Sequence, residues 1–279
     1  MIKFQHSIFA LPFAYLGAFL AEMRVPSLMT ILWITIAMVG ARSFAMAANR
    51  LIDMEIDRRN PRTADRALPK GLLSISNVIL FSAASLIVFL FAVYNLAPIC
   101  RSLWPLVVVP FVVYPYTKRF TWLSHFVLGL CLGLAPVGAW IAVTNTVSLD
   151  PFLIGVAVLC WVAGFDIFYA MQDVDFDRAH NLYSIPARFG IRSSLMLTKL
   201  LHSASIILLG YLGIRMNMGM LYFAGILVTA ILLAYENAII KADDLSRLNM
   251  AFFTMNGVIS VLMFGFVAAE VIFGRSAIV

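Results

Sequence analysis

Residues 76–96 read SNVILFSAASLIVFLFAVYNL, a run of 21 residues without a charged side chain. A helix of about 20 mostly apolar residues is long enough to cross the hydrocarbon core of a bilayer. Eight further apolar stretches accompany it, near residues 6–22, 28–52, 102–116, 124–144, 151–172, 193–213, 217–240 and 248–272. The sequence therefore predicts an all-α, polytopic membrane protein with about nine transmembrane helices.

The composition agrees with this class of protein. Of the 279 residues, 62% are hydrophobic and 12% are charged, and the mean hydropathy is +0.95. An average soluble domain has about a quarter of its residues charged. The net charge of +6 raises the alternative of a nucleic-acid partner. We predict no such partner, because the basic residues lie between apolar stretches and form no nucleic-acid-binding motif.

The basic residues are distributed unevenly between the two ends of the predicted helices. With nine crossings, 15 of the 20 Lys and Arg residues fall at the end that holds the loops after the second, fourth, sixth and eighth helices. Cytoplasmic loops carry such an excess of Lys and Arg, so this end is predicted to be cytoplasmic. Most of the acidic residues lie there too, which the same rule does not require.

Two acidic segments at this end share one pattern. The first reads Asn49-Arg-Leu-Ile-Asp53-Met-Glu-Ile-Asp57, and the second reads Asp173-Val-Asp-Phe-Asp177. On a helix, residues at i, i+4 and i+8 stack along one face. A row of oxygen-bearing side chains packs poorly, but carboxylates together with substrate phosphate oxygens are what Mg²⁺ prefers. We therefore predict Mg²⁺ ligands at Asn49, Asp53, Asp57, Asp173 and Asp177.

The two segments are offset by 120 residues, and each follows an even-numbered predicted helix. This spacing suggests one transmembrane domain over residues 1–279, made of related halves near 1–120 and 121–245 and a last helix. Sites in membrane proteins often lie at the interface between such halves.

Facing carboxylate pairs with bound Mg²⁺ would neutralise a diphosphate and make it a good leaving group. Nearby cations are predicted to bind the remaining diphosphate oxygens. The candidates are Arg62, Arg66, Lys118, Arg119 and Arg188. Asp166 precedes the second segment at a position inside the hydrocarbon, where a lone carboxylate costs about 2.5–3.5 kcal/mol. It is therefore expected to face a polar cavity or a partner.

These motifs resemble those of the UbiA superfamily of intramembrane aromatic prenyltransferases. Asn49, Asp53 and Asp57 match its N-x-x-x-D-x-x-x-D motif, although Arg50 stands where many members have Asp. The second motif, within a Y-A-M-x-D context, is matched from Tyr169 through Asp177. Three further stretches agree, namely residues 62–71 (with Ala67 where Pro is usual), 114–121 and 184–190.

The resemblance implies a fold of nine transmembrane helices around a central cavity. It also implies transfer of a polyprenyl group from polyprenyl diphosphate to an aromatic ring, with Mg²⁺ as cofactor and the site on the cytoplasmic side of a bacterial inner membrane. The diphosphate leaves, the resulting allylic cation is attacked by the acceptor, and a ring proton is lost. Asp166, Tyr169 and Asp173 are the candidate catalytic residues, with Asp166 or Asp173 as the base or as an acceptor-orienting group.

Several acceptors stay open at this point. The motif contexts look most like 4-hydroxybenzoate polyprenyltransferases of ubiquinone biosynthesis, whereas residues 3–13 look like the menaquinone branch that uses the futalosine route. Dihydroxynaphthoate, homogentisate and a porphyrin are alternative acceptors. A cation- or proton-coupled transporter is an alternative class, since carboxylates within the membrane serve such proteins.

Overall fold

The computed structural model describes residues 5–242, 244–245, 248 and 255–274, with side chains from Ala10 onward. Across these ranges the chain forms twelve α-helices and one 3-10 turn, and no strand. The helices are α1 Gln5–Glu22, α2 Leu28–Ile52, α3 Met54–Arg59, α4 Ile75–Tyr94, α5 Cys100–Thr117, α6 Ser124–Thr144, α7 Leu149–Ala170, α8 Val174–Ala179, α9 Ile185–Phe189, α10 Ile191–Arg215, α11 Met220–Ile239 and α12 Asn256–Phe273. The 3-10 turn, Met171–Asp173, joins α7 to α8.

The nine apolar stretches correspond to the nine long helices of the described residues, so the all-α prediction is confirmed. Seven helical segments in these ranges are long and apolar enough to cross a membrane. The two remaining long helices are α1, whose described apolar part is Ala10–Glu22, and α5, which contains three prolines. Nine crossings therefore stay a prediction, and the start of the last predicted stretch, before residue 255, lies mostly outside the described residues.

Helix boundaries follow from local side chains. The Ser27 and Ser74 hydroxyl oxygens accept backbone N–H groups at the starts of α2 and α4, each at 3.1 Å. Such caps satisfy donors that have no partner within the helix. The C-terminal end of α6 is capped by Asn145, which adopts φ 52° and ψ 27°. Asparagine tolerates this left-handed conformation better than most residues, so the chain can turn there towards α7.

Small residues bring α6 and α7 together. A Cβ atom on Gly129 would lie 2.5 Å from the carbonyl oxygen of Leu159, and a Cβ atom on Gly133 would lie 2.4 Å from the carbonyl oxygen of Gly155. Helices in lipid gain little from the hydrophobic effect when they associate, because the lipid tails are themselves apolar. Close packing of backbones at small residues is therefore a main source of their association. The α6–α7 pair is therefore a close-packed centre on which the other helices are arranged.

The remaining helices divide around this pair. On one side α1, α10, α11 and α12 pack into a solid core about Trp161, whose ring meets Phe13 edge-on at 5.1 Å between centroids. On the other side α2 packs against α4 and α5, and α5 packs against α6. This second side is hollow, and it contains the site.

The loops that precede α4, α6 and α10 gather at one end of the bundle. The Tyr183 backbone N–H donates to the Lys118 carbonyl at 2.7 Å and joins two of these loops. At the opposite end, the Ile99 N–H donates to the Asn145 side chain at 3.1 Å. The basic loops predicted to share one face therefore do so wherever they are described.

Candidate active site

Both acidic segments sit where a long helix is interrupted. Helix α2 stops at Ile52, Asp53 takes φ −94° and ψ 4°, and the short helix α3 follows. In the second segment Asp173 takes φ −107° and ψ 7° between the 3-10 turn and α8. The i, i+4 backbone hydrogen bonds nevertheless continue through the first break, from Asp53 N–H to the Asn49 carbonyl at 2.9 Å and from Asp57 N–H to the Asp53 carbonyl at 2.7 Å. Asn49, Asp53 and Asp57 all line one cavity.

Asp53 binds cations from the end of α5. Its Oδ2 accepts Lys118 Nζ at 2.7 Å and Asn49 Nδ2 at 3.2 Å, and its Oδ1 lies 3.4 Å from Arg119. Burial raises the pKa of Asp53, and the positive charges of Lys118 and Arg119 act in the opposite direction. The amide of Asn49 therefore orients Asp53 in this structure by donating to it.

Asp57 is buried and binds two arginines. Both of its carboxylate oxygens lie 2.6 Å from Arg66 Nη1, and Arg50 Nη1 is 3.7 Å from Oδ2. A buried carboxylate is costly unless it is paired in this way. Arg50, the departure from the usual acidic residue noted in the sequence, thus adds positive charge beside Asp57.

Arg62 connects the two acidic segments. Its guanidinium forms two hydrogen bonds to Asp173, from Nε to Oδ1 at 2.9 Å and from Nη2 to Oδ2 at 2.5 Å. Its Nη1 donates to the Tyr169 hydroxyl at 2.5 Å, and its Cζ lies 4.7 Å from the centre of that ring. Asn60 Nδ2 also donates to Asp173 Oδ1 at 3.0 Å. The fork geometry of arginine suits this two-point contact.

Asp177 and Asp166 have neutral or aromatic partners instead of lysine or arginine. The Ser184 hydroxyl donates to Asp177 Oδ2 at 2.8 Å. His125 Nδ1 lies 2.7 Å from Asp166 Oδ2. The expectation that Asp166 faces a polar partner is therefore met by His125. The spacing of residues in the sequence gave no sign of this histidine.

A cavity of about 1230 Å³ unites these groups. Its polar end contains Asn49, Asp53, Asp57, Asp173 and Asp177. Its apolar part is lined by aromatic and aliphatic side chains of α2, α4, α5, α6 and α7, and it extends to Val147 and Phe152 at the far end of the bundle. A charged headgroup and a long hydrocarbon chain could therefore occupy one continuous space.

All but two of the predicted site residues line this cavity. Arg119 does not line it, although it reaches Asp53 and donates to the Ile52 carbonyl at 2.6 Å. Arg188 lies on α9 with an exposed side chain outside the cavity lining. The geometry brings the other predicted diphosphate residues, Arg62, Arg66 and Lys118, to the polar end and leaves Arg188 away from it.

Arg42 is a cavity residue that motif comparison missed. It lies in the second half of α2 and lines the cavity, and its Nε is buried without a hydrogen-bond partner. No ion pair to Arg42 is found in the described part of the chain. An ionisable side chain at membrane depth is by itself a sign of function. That signal was present in the sequence, because Arg42 lies well inside the predicted stretch 28–52.

The donor set suits Mg²⁺ when substrate supplies further ligands. Over the described ranges, no three His, Cys, Asp or Glu side chains converge closely enough to hold a metal ion alone. Mg²⁺ at phosphate sites usually binds one or two carboxylates, with phosphate oxygens and waters completing its shell. Carboxylate and amide oxygens meet that requirement from two sides of the cavity. The chemistry fits an ion shared with a diphosphate, and not a cage built from protein alone.

Comparisons with known proteins agree with this geometry. The sequence model of the UbiA prenyltransferase family matches residues 10–258. A 4-hydroxybenzoate octaprenyltransferase of Aliivibrio fischeri strain MJ11 is 29% identical over 255 residues, which cover 91% of this chain and 88% of that relative.

Two solved structures are similar over nearly their whole length. The apo structure of a UbiA homolog from Aeropyrum pernix K1 has a TM-score of 0.85 at 30% identity and covers 99% of this chain and 100% of its own. A UbiA homolog from Archaeoglobus fulgidus, bound to DMAPP and Mg²⁺, has a TM-score of 0.71 and covers 96% of each chain. At 21% identity, this second likeness concerns the fold alone.

Proposed function

This chain belongs to the UbiA prenyltransferase family, and from that premise we propose that it transfers a polyprenyl group from polyprenyl diphosphate to 4-hydroxybenzoate in quinone biosynthesis. It is an integral membrane protein and a prenyltransferase. The acceptor, the Mg²⁺ dependence and the cytoplasmic position of the site are the proposed parts. The name of the Aliivibrio relative supports the acceptor, and the basic face of the bundle supports the orientation.

One observation carries the proposal more than any other. A single cavity joins an end rich in carboxylates, arginine and lysine to a long apolar region that reaches the opposite side of the bundle. A polyprenyl diphosphate has the same division into a highly charged headgroup and a hydrocarbon tail. A transporter of small ions would have no use for the apolar region, and family membership argues against that class as well.

The headgroup would bind where Arg62, Arg66 and Lys118 now bind carboxylates. Mg²⁺ held by Asn49, Asp53, Asp57, Asp173 and Asp177 would neutralise the diphosphate and favour its departure. That role is supported by the Archaeoglobus homolog, whose structure contains Mg²⁺ and DMAPP. The freed arginine and lysine side chains then donate to diphosphate oxygens, which arginine in particular binds at two points.

The acceptor would bind deeper in the membrane than the headgroup. Arg42 precedes Asn49 by seven residues on α2, and Asp166 precedes Asp173 by seven residues. At a rise of 1.5 Å per residue, each lies roughly 10 Å below the polar end. Arg42 has no acidic partner in the described residues, so the carboxylate of an aromatic acid is a fitting ligand for it. This favours a benzoate over a neutral acceptor.

The contacts also favour one base over the other. Both oxygens of Asp173 accept hydrogen bonds from Arg62, and Oδ1 accepts a further one from Asn60. Asp166 accepts only from His125 among the hydrogen bonds of the described residues, and it lines the cavity. We therefore assign proton removal to Asp166. In the substrate-free structure, Tyr169 and Asp173 hold the Arg62 guanidinium at the headgroup end of the cavity.

The chemistry requires the site to exclude water while the allylic cation exists. The apolar cavity wall excludes water, and aromatic rings such as Phe165 and Tyr114 on that wall can stabilise the cation by about 2 kcal/mol or more when desolvated.

Two alternative acceptors also carry a carboxylate. They are dihydroxynaphthoate, which would suit the menaquinone branch, and homogentisate. They are the alternatives that Arg42 does not exclude.

The test uses purified protein in detergent with Mg²⁺ and a radiolabelled polyprenyl diphosphate. Each acceptor, 4-hydroxybenzoate, dihydroxynaphthoate, homogentisate and a porphyrin, is offered alone. We expect prenylated 4-hydroxybenzoate from the wild type and none from an Asp57→Asn, Asp177→Asn double variant. Product from the double variant would overturn the assignment of those carboxylates, and product from another acceptor only would replace the proposed pathway.

A further inference from the structure

His125 is a buried histidine whose two ring nitrogens have different partners. The residue is 3% exposed and is the second residue of α6. Its Nε2 accepts the backbone N–H of Ile185 at 3.3 Å, and its Nδ1 lies 2.7 Å from Asp166 Oδ2. A backbone N–H can only donate, so Nε2 is the acceptor and the ring proton is on Nδ1. The histidine therefore donates to Asp166.

This contact leaves Asp166 with one oxygen for the cavity. Oδ2 receives the hydrogen bond from His125, and the carboxylate lines the cavity with its side chain 14% exposed. No arginine or lysine pairs with Asp166 in the described residues. Among the hydrogen bonds of the described residues, the one from His125 is the only bond to Asp166. The same arrangement fixes the direction in which its free oxygen points.

The histidine is itself held by a segment that also contacts the headgroup end. Ser184 precedes Ile185 and caps α9, and its hydroxyl donates a hydrogen bond to Asp177. One continuous series of contacts results. Hydrogen bonds join Asp177 to Ser184, Ile185 to His125, and His125 to Asp166, and Ser184 and Ile185 are neighbours in the chain. The series runs from the headgroup end of the cavity to the position of the proposed base.

We propose that His125 is a positioning residue, which holds Asp166 so that its free oxygen takes the ring proton of the acceptor after the new bond forms. The inference rests on the proposed function. The C1–O bond of the prenyl diphosphate breaks with its electron pair on the diphosphate. A ring carbon of the acceptor then bonds to C1, and the proton of that carbon passes to Asp166 as the ring regains aromaticity.

The experiment compares single-turnover product formation with ordinary and ring-deuterated 4-hydroxybenzoate. In the wild type, proton removal is fast after bond formation, so no primary isotope effect is expected. In His125→Ala, Asp166 loses its donor, and we expect product formation to slow about 10- to 100-fold. A primary isotope effect should appear together with an unchanged affinity for the polyprenyl diphosphate.

Two further variants separate positioning from damage to the fold. His125→Asn retains an N–H near the position of Nδ1, and we expect it to recover most of the rate and to lose the isotope effect. His202→Ala removes an equally buried histidine, also 3% exposed, that does not line the cavity. It should show no isotope effect even if it lowers stability.

Three outcomes would overturn the inference. One is a His125→Ala enzyme with the wild-type rate and no isotope effect. The second is a His125→Asn enzyme as slow as His125→Ala, because the donor to Asp166 would then be irrelevant. The third is a wild type that prenylates no aromatic acid, which overturns the proposed function and this inference together. The wild-type control therefore distinguishes the two failures.

Discussion

Replacing Arg42 with leucine should weaken the use of 4-hydroxybenzoate and leave the use of polyprenyl diphosphate unchanged. Arg42 lines the apolar part of the cavity, has a buried Nε without a partner, and pairs with no acid in the described residues. A hydrogen bond to a charged group contributes about 1.5–3 kcal/mol. Since about 1.4 kcal/mol corresponds to a factor of ten, we expect kcat/KM for the acceptor to fall roughly 10- to 150-fold.

The assay pairs each enzyme with two acceptors, 4-hydroxybenzoate and its methyl ester. The wild type should prefer the acid by the factor given above, and Arg42→Leu should treat acid and ester nearly alike. This double comparison isolates the contact between guanidinium and carboxylate from any general loss of activity. Equal preference for the acid in both enzymes would refute the reasoning and place the carboxylate elsewhere.

The same substitution should make the protein more stable. An arginine at membrane depth costs about 2.5–3.5 kcal/mol on insertion scales, and Arg42 offsets none of this with an ion pair in the described residues. We expect Arg42→Leu to unfold at a higher temperature than the wild type in detergent. If Arg42 is retained for binding and not for folding, its replacement should lower activity and raise stability at the same time.

Three other substitutions or treatments test separate parts of the structure. Arg62→Lys keeps the charge but removes the two-point contact to Asp173, and it should raise KM for the polyprenyl diphosphate about tenfold; an unchanged KM would count against a headgroup role. Gly133→Leu should lower the unfolding temperature, because the α6–α7 backbones leave no room at Gly155, whereas Gly210→Ala, with open space around its Cβ position, should not. Removal of divalent ions with EDTA should abolish product and Mg²⁺ should restore it, and undiminished activity in EDTA would remove the metal from the proposal.

The sequence predicted the long helices well because their signal is strong. Apolar runs of about 20 residues need no tertiary information to be recognised. The predicted stretches 28–52 and 151–172 end just before Asp53 and Asp173, and the structure also breaks the long helices there. The partners of these carboxylates were harder to predict, because the cations that bind them come from the end of α5 and from the loop before α4. The two-half organisation over residues 1–120 and 121–245 stays a prediction.

The site was predicted where residue type and spacing carried the information. The repeated i, i+4 acidic pairs and the adjacent arginines gave the polar end of the cavity. His125 escaped because a lone histidine has no periodic signal, and its role appears only when α6, α7 and α9 are packed together. Arg188 was selected for its neighbourhood in the sequence, but α9 presents it on the outer surface. Proximity along the chain was a poor guide there.

The pairing of Arg62, Arg66 and Lys118 with aspartates has a consequence for the order of binding. In the substrate-free protein these cations and carboxylates neutralise one another, so the headgroup end exposes little charge to attract either a lone anion or a lone metal ion. Each would have to displace the opposite member of an existing pair. Diphosphate that arrived already bound to Mg²⁺ would replace both sets of counter-ions in a single event. Such an exchange would make occupancy cooperative, and its reversal after turnover would expel the released diphosphate as the pairs re-form.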